Sequence, residues 1–154
     1  MKIVLQRVKK ASVVVEDDTV GHIDRGLCLL VGVEKGDTEE DVLFLAKKIV
    51  ELRIFPDDAG KMNLSVEDIS GGILAISQFT LAGSVKKGRR PSFDKAEEPE
   101  RAEKLFNLLV KRLREHGVVV QTGVFAAMMD VCIVNDGPVT FVLESRKSNT
   151  NSGS

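Results

Sequence analysis

Ser77-Gln78-Phe79-Thr80 closes an apolar run, Ile73-Leu74-Ala75-Ile76. A buried strand that ends in two hydroxyls and an amide can floor a site where those groups hydrogen-bond a substrate. The same hydroxyls can instead bond neighbouring backbone at the end of an ordinary core strand. Beyond Leu81 the chain changes character: Ala82 to Lys95 has no hydrophobic period and packs Lys86, Lys87, Arg89 and Arg90 into five positions. A basic loop at the mouth of a site suits an anionic substrate, since phosphate attraction supplies most sequence-independent nucleic-acid affinity. A solvated surface loop is the other reading. A third segment, Asn135-Asp136-Gly137-Pro138-Val139-Thr140, reads as a turn between strands, with Gly for an unusual φ and Pro for a rigid or cis bond.

Other chemistries find little support. His22 and His116 lie far apart, and neither has a Cys or His at metal-ligand spacing, so no metal is expected. Neither histidine belongs to a motif that could activate Thr80, which removes the ground for a Thr-His-Asp triad. Trp and Tyr are absent, leaving Phe, His or Arg for any base stacking. A net charge of −1 excludes a bulk polycation but not a local nucleic-acid contact. No apolar run approaches the ~20 residues of a membrane span, and the start lacks a signal-peptide pattern. Cys28 and Cys132 each sit within an apolar run and read as small core residues in a reducing compartment, so the cytoplasm is expected.

The elements that would position these residues follow from periodicity. Ile3 to Val8 reads as a strand, with the Arg7 head expected to reach solvent. Ser12–Glu16 and Thr19–Ile23 read as a hairpin around Asp17-Asp18, and Leu27–Val33 as a strand buried on both faces. Asp37 can cap a helix, with Glu40 as its box partner, whose buried stripe is Val42, Leu45, Ala46 and Ile49. Leu52–Phe55 is a short strand before the Pro56–Lys61 turn. Pro99 opens a second helix with Ala102, Leu105, Phe106, Leu109 and Leu113 inward, and Gly117 ends it. Val118–Gln121, Met128–Val134 and Val139–Leu143 complete about eight short strands. That order indicates an α+β fold with a mixed or mostly antiparallel, barrel-like sheet and two main helices, one domain over 1–145. Residues 146–154 form a polar tail expected to be disordered.

Taken together, Ser77-Gln78-Phe79-Thr80-Leu81 and Gly137-Pro138 resemble the D-aminoacyl-tRNA deacylases of the bacterial and eukaryotic type. Gln6-Arg7-Val8, Ala11-Ser12-Val13, Arg53-Ile54-Phe55, Arg90-Pro91-Ser92-Phe93, Thr122-Gly123 and Phe125-Ala126-Ala127-Met128 extend the likeness, in order, over residues 1–144. The resemblance implies a homodimer with active sites at the subunit interface. It implies hydrolysis of the ester between a D-amino acid, or glycine mischarged on tRNA-Ala, and the 3′-terminal adenosine, with L-aminoacyl-tRNA spared. Carried over, Gly137 and cis Pro138 are a selectivity filter that enters the other subunit's pocket. Arg7 fastens the filter loop, and Ser77, Gln78, Phe79 and Thr80 are the catalytic wall.

The chemistry so implied uses no cofactor. Water attacks an already activated ester, backbone N–H groups around Gln78 and Phe79 can receive the oxyanion, and the tRNA 2′-OH assists. Two other functions stay open at this point: a non-catalytic tRNA-binding module using Lys86, Lys87, Arg89 and Arg90, and a small-ester hydrolase on the same scaffold.

Overall fold

The protein is described here from a computed structural model, which covers residues 1–146. Its centre is β1 (Lys2–Val15), a single strand of 14 residues. One edge of β1 pairs antiparallel with β3 (Gly26–Gly32) and then with β2 (Asp18–Ile23), while the other edge pairs along its length with β8 (Asp130–Glu144). Beyond β3 the sheet continues in parallel through β6 (Gly72–Ser77) to β7 (Val119–Thr122). The result is a mixed six-stranded sheet, with β4 (Phe55–Pro56) and β5 (Met62–Leu64) forming a separate two-stranded ladder. β2 leans back onto β7, where His22 N–H donates to Gln121 Oε1 at 2.6 Å, giving the sheet its barrel-like curl.

Two apolar layers follow from side-chain alternation. Ile3 and Leu5 of β1, with Leu27, Leu29, Ile73 and Val120, meet the helices α1 (Glu39–Glu51) and α2 (Pro99–Glu115). Val8, Ala11, Val13, Cys28, Leu74 and Ile76 form a second cluster inside the curl, partly covered by Met129, Val131 and Ile133. A slipped register around Lys9 explains why odd positions of β1 face the helices early in the strand and the inner cluster later: one extra residue inverts the alternation.

The helix stripes expected from the period are buried, Val42, Leu45, Ala46 and Ile49 on α1, and Leu105, Phe106, Leu109 and Leu113 on α2, with Ala102 packed at its edge. The α1 cap lies one residue later than expected. Thr38 is the N-cap, and Asp41 accepts its N–H at 2.7 Å. Asp37 does something else: it is fully buried, receiving the Met1 ammonium at 2.6 Å, the Glu34 N–H at 2.7 Å and the Arg146 guanidinium at 2.8 Å. Removing one partner of a buried ion pair strands the other, so Asp37→Asn should cost roughly 3–5 kcal/mol of stability, read as a lower urea midpoint at unchanged slope.

Other expectations are corrected. The hairpin turns at Glu16 and Asp17, both at positive φ (47° and 68°), because β1 runs on to Val15. The strand set at Leu52–Phe55 is only the two residues of β4. Cys132 is exposed on the outer strand, since alternation turns it away from the inner cluster. Cys28 is buried and free, and burial pushes its thiol up to about 12, which keeps it protonated and inert. Of the polar tail, Arg146 is fastened to Asp37 and the Lys35 carbonyl; the disorder expected for 147–154 lies outside the described residues.

Candidate functional site

β6 delivers Ser77 at the carboxyl end of the parallel strands, and the chain then tightens into a 3-10 turn, Phe79–Ala82, instead of extending to Leu81. Gln78 bridges the two elements. Its N–H donates to the Val31 carbonyl at 2.8 Å, so it is not free to meet an oxyanion, contrary to the expectation from sequence. The Phe79 and Thr80 N–H groups open the turn, where helical geometry supplies no acceptor from within it. Gln78 Nε2 donates to Thr80 Oγ1, which orients the hydroxyl. Ser77 and Gln78 are half-buried while Phe79 and Thr80 are exposed, so the four residues form an open ledge.

The ledge is continued by the basic loop. Ser84 and Ser92 exchange backbone hydrogen bonds at 2.7 and 2.8 Å, closing a neck from which Lys86, Lys87, Arg89 and Arg90 project into solvent. Phe93, just after the neck, packs on Phe79 with ring centroids 5.2 Å apart, so two exposed rings stand beside the Thr80 hydroxyl. Glycine suits position 83, because a Cβ would come within 2.9 Å of the Thr80 carbonyl oxygen, a backbone atom, as well as of the Phe93 ring. Both histidines lie elsewhere: His22 is on β2 beside Asp24, and His116 caps the end of α2.

The Asn135–Thr140 segment is not a turn between two strands. It is a bulge within β8, because Asn135 stays paired with Val8 and Thr140 with Gln6. The four residues Asp136 to Val139 therefore face a single residue, Arg7. Arg7 is buried, not in solvent. Its Nε donates to the Asp136 carbonyl at 3.1 Å and lies 3.4 Å from the Asp136 carboxylate, and its Nη1 donates to the Ile54 carbonyl at 2.7 Å. An odd position on β1 points towards the helices, which leaves a cation there with only carbonyls and one carboxylate to satisfy it. The Gly137–Pro138 bond is cis, and Gly137 sits at φ +132°. Gly137 and Pro138 themselves are exposed.

Register separates the two motifs. Arg7 pairs with Leu27 and Leu27 with Ile73, whereas Ser77 pairs with Val31 and Val31 with Ile3. Gly137 thus lies three strands across and four residues along from Ser77, roughly 20 Å at ~4.8 Å per strand and ~3.3 Å per residue. The Ser77–Thr80 ledge, the aromatic pair and the cationic loop are brought together in one chain; Gly137-Pro138 and Arg7 form a second, distant station. Sequence reasoning missed two contributors. Nothing local marked Phe93 as a partner of Phe79, and the Ile54 carbonyl that holds Arg7 is a backbone group, which carries no sequence signal.

Comparison with known proteins gives a consistent picture. The family described as D-Tyr-tRNA(Tyr) deacylase matches residues 4–144. A D-aminoacyl-tRNA deacylase of Persephonella marina is 63% identical over 143 residues, covering 93% of this chain and 97% of its own. One of Geobacter metallireducens is 57% identical over 148 residues, covering 96% and 98%. Among solved structures, a c-Myc DNA unwinding element binding protein superposes with a TM-score of 0.90 at 42% identity, covering 96% of this chain and all of that one. A probable eukaryotic D-amino acid tRNA deacylase superposes with a TM-score of 0.81 at 18% identity, covering 92% and 97%, a likeness of fold.

Proposed function

The chain belongs to the D-Tyr-tRNA(Tyr) deacylase family, and on that premise we propose how its two stations divide the work of an enzyme that removes D-amino acids from tRNA. It is an aminoacyl-tRNA editing hydrolase, cleaving the ester of D-aminoacyl-tRNA to free D-amino acid and tRNA. The proposal concerns which residues do this and how the L form is spared.

The observation that carries it is the separation of the stations. One chain offers a ledge with hydroxyls, open N–H groups and two tilted, packed rings, while its Gly137-Pro138 bulge projects from an outer edge some three strands away. A symmetric pair of chains can place each bulge over the other's ledge, and this supports reading the protein as a homodimer with shared sites. Val134, Phe141 and Val142, all exposed on β8 beside the bulge, suit that contact.

In the shared site the terminal adenine stacks on Phe79 and Phe93, and Lys86, Lys87, Arg89 and Arg90 neutralise acceptor-strand phosphates. Water attacks the ester carbonyl carbon, and the oxyanion is received by the Phe79 and Thr80 N–H groups. Collapse of the tetrahedral intermediate expels the ribose oxygen, which takes up a proton, leaving free amino acid and tRNA. The neighbouring ribose hydroxyl orients the water, since no histidine lies near the Thr80 hydroxyl among the described residues. Holding ester, water and hydroxyl together can supply about 7–11 kcal/mol of the barrier.

Selectivity comes from space. The Gly137 and Pro138 carbonyls fill the volume an L side chain needs, whereas a D side chain points outward, so many D-amino acids are accepted. Glycine has no side chain to clash, and glycine mischarged on tRNA-Ala is removed as well. Among the described residues no helix is long and apolar enough to cross a membrane; we place the enzyme in the cytoplasm, where aminoacyl-tRNA circulates.

The test is paired deacylation of one tRNA carrying the D or the L form of one amino acid. The D ester should disappear while the L ester persists, and equal loss of both would overturn the reading. In the same assay Thr80→Ala should slow the D reaction by no more than about tenfold. Loss of a true nucleophile costs on the order of 10⁶-fold, and a collapse of that size would make Thr80 the attacking group.

A further inference from the structure

The bulge that carries Gly137 and Pro138 interrupts the β1–β8 ladder, so four residues have only Arg7 opposite them. Arg7 grips one side of it. Gln6, the next residue, points to the opposite face of the sheet by strand alternation, and there a second set of bonds closes the neck of the bulge. Asn135 Oδ1 accepts the Val139 N–H at 3.0 Å, and Asn135 Nδ2 donates to Thr140 Oγ1, also at 3.0 Å. Gln6 Nε2 donates to the same hydroxyl at 3.2 Å. The two residues that flank the bulge are therefore tied directly to each other and to β1, and the backbone N–H of Val139, left without a ladder partner, is satisfied by a side chain.

We propose that Gln6, Asn135 and Thr140 form a brace that sets the position of the Gly137 and Pro138 carbonyls and thereby the D/L selectivity of the enzyme. The inference rests on the proposed role of that motif. The three are positioning residues: none of them touches the substrate. Each has a specific requirement. Thr140 must accept two donors at once, which a hydroxyl's two lone pairs allow and a methyl group does not. Asn135 must accept from Val139 N–H with one end of its amide and meet the Thr140 hydroxyl with the other, so an apolar side chain of similar shape there loses both bonds. With the brace intact the bulge is held from both faces of the sheet; without it Arg7 alone holds one side, and the carbonyls can yield to an L side chain.

Thr140→Val keeps the shape and removes the acceptor, and Asn135→Leu keeps the approximate shape and removes both of the Asn135 bonds. Both go into the full-length protein, with melting temperature and paired D- and L-aminoacyl-tRNA deacylation measured beside Gly137→Ala. Each should lower the D/L rate ratio about tenfold or more, about tenfold being the equivalent of one lost hydrogen bond, chiefly by raising L hydrolysis, with KM for the D substrate little changed. Thr140→Ser should restore the ratio. An unchanged ratio in folded Thr140→Val and Asn135→Leu, while Gly137→Ala lowers it, overturns the brace but leaves the motif's role standing. An unchanged ratio in Gly137→Ala as well removes the motif and the brace together. If Thr140→Val does not fold, Asn135→Leu and Gln6→Ala, the latter at a half-buried position, decide by the same ratio.

Discussion

Gly137→Ala should fold and yet lose about 10²-fold in D-aminoacyl-tRNA deacylation, with discrimination against the L form reduced as well. The φ of +132° lies where L side chains rarely go, and holding it costs roughly 1–3 kcal/mol, which a protein of this size survives. The added Cβ would lie 2.7 Å from Val139 Cγ2, 3.0 Å from Val139 N and 3.2 Å from Arg7 Nη2. Of these the side chain can rotate, but the backbone nitrogen cannot move without moving the bulge. Under the proposed role of the Gly137 and Pro138 carbonyls as a selectivity filter, a displacement of about 1 Å is enough to cost on the order of 10²-fold. Single-turnover deacylation of both stereoisomers checks it, and wild-type rates with wild-type discrimination would reduce Gly137 to a turn residue.

Arg7→Ala should act on stability and selectivity together. Arg7 is 9% exposed, and its guanidinium serves the Asp136 carbonyl, the Asp136 carboxylate and the Ile54 carbonyl. Truncation leaves a buried acceptor at Ile54 without a partner and frees one side of the bulge, costing roughly 3 kcal/mol given the strength of bonds to a charged donor. Arg7→Lys should rescue little of this. A single ammonium cannot reach two carbonyls that lie in different directions from a planar fork. Urea unfolding and the D/L rate ratio should fall together in both variants; a stable Arg7→Ala protein with full selectivity would take Arg7 out of the scheme.

The parts of this fold that were legible in the sequence are those governed by local period. Both helix stripes, the apolar body of β6 and the basic loop stand where residue spacing places them, because each depends on neighbours within a few positions. What was not legible depends on partners far along the chain. Asp37 and Thr38 are equally good caps by composition, and the choice is made by Met1 and Arg146, which claim the Asp37 carboxylate. Arg7 looks like a cation that should reach water, and only the pairing of β1 with β8 and the approach of Ile54 turn it inward. Asn135-Asp136-Gly137-Pro138 carries every turn residue, yet it is a bulge, since whether flanking strands pair with each other or with a third strand is a matter of register. Thr80 was placed at a strand exit and sits in a 3-10 turn, where the Leu81 N–H donates back to the Gln78 carbonyl at 3.2 Å and the Gly83 N–H to the Thr80 carbonyl at 2.9 Å.

That each catalytic ledge is completed by the other chain's bulge is tested most directly by mixing two damaged proteins. One chain carries Gly137→Ala with its ledge intact; the other carries Gln78→Ala and Phe79→Ala with its bulge intact. After co-refolding at equal amounts, random pairing in a two-fold dimer should restore about a quarter of the wild-type sites, and D-aminoacyl-tRNA deacylation should rise accordingly above either protein alone. Activity no higher than the sum of the two separate proteins, in a sample shown to contain mixed dimers, would contradict a site shared between chains.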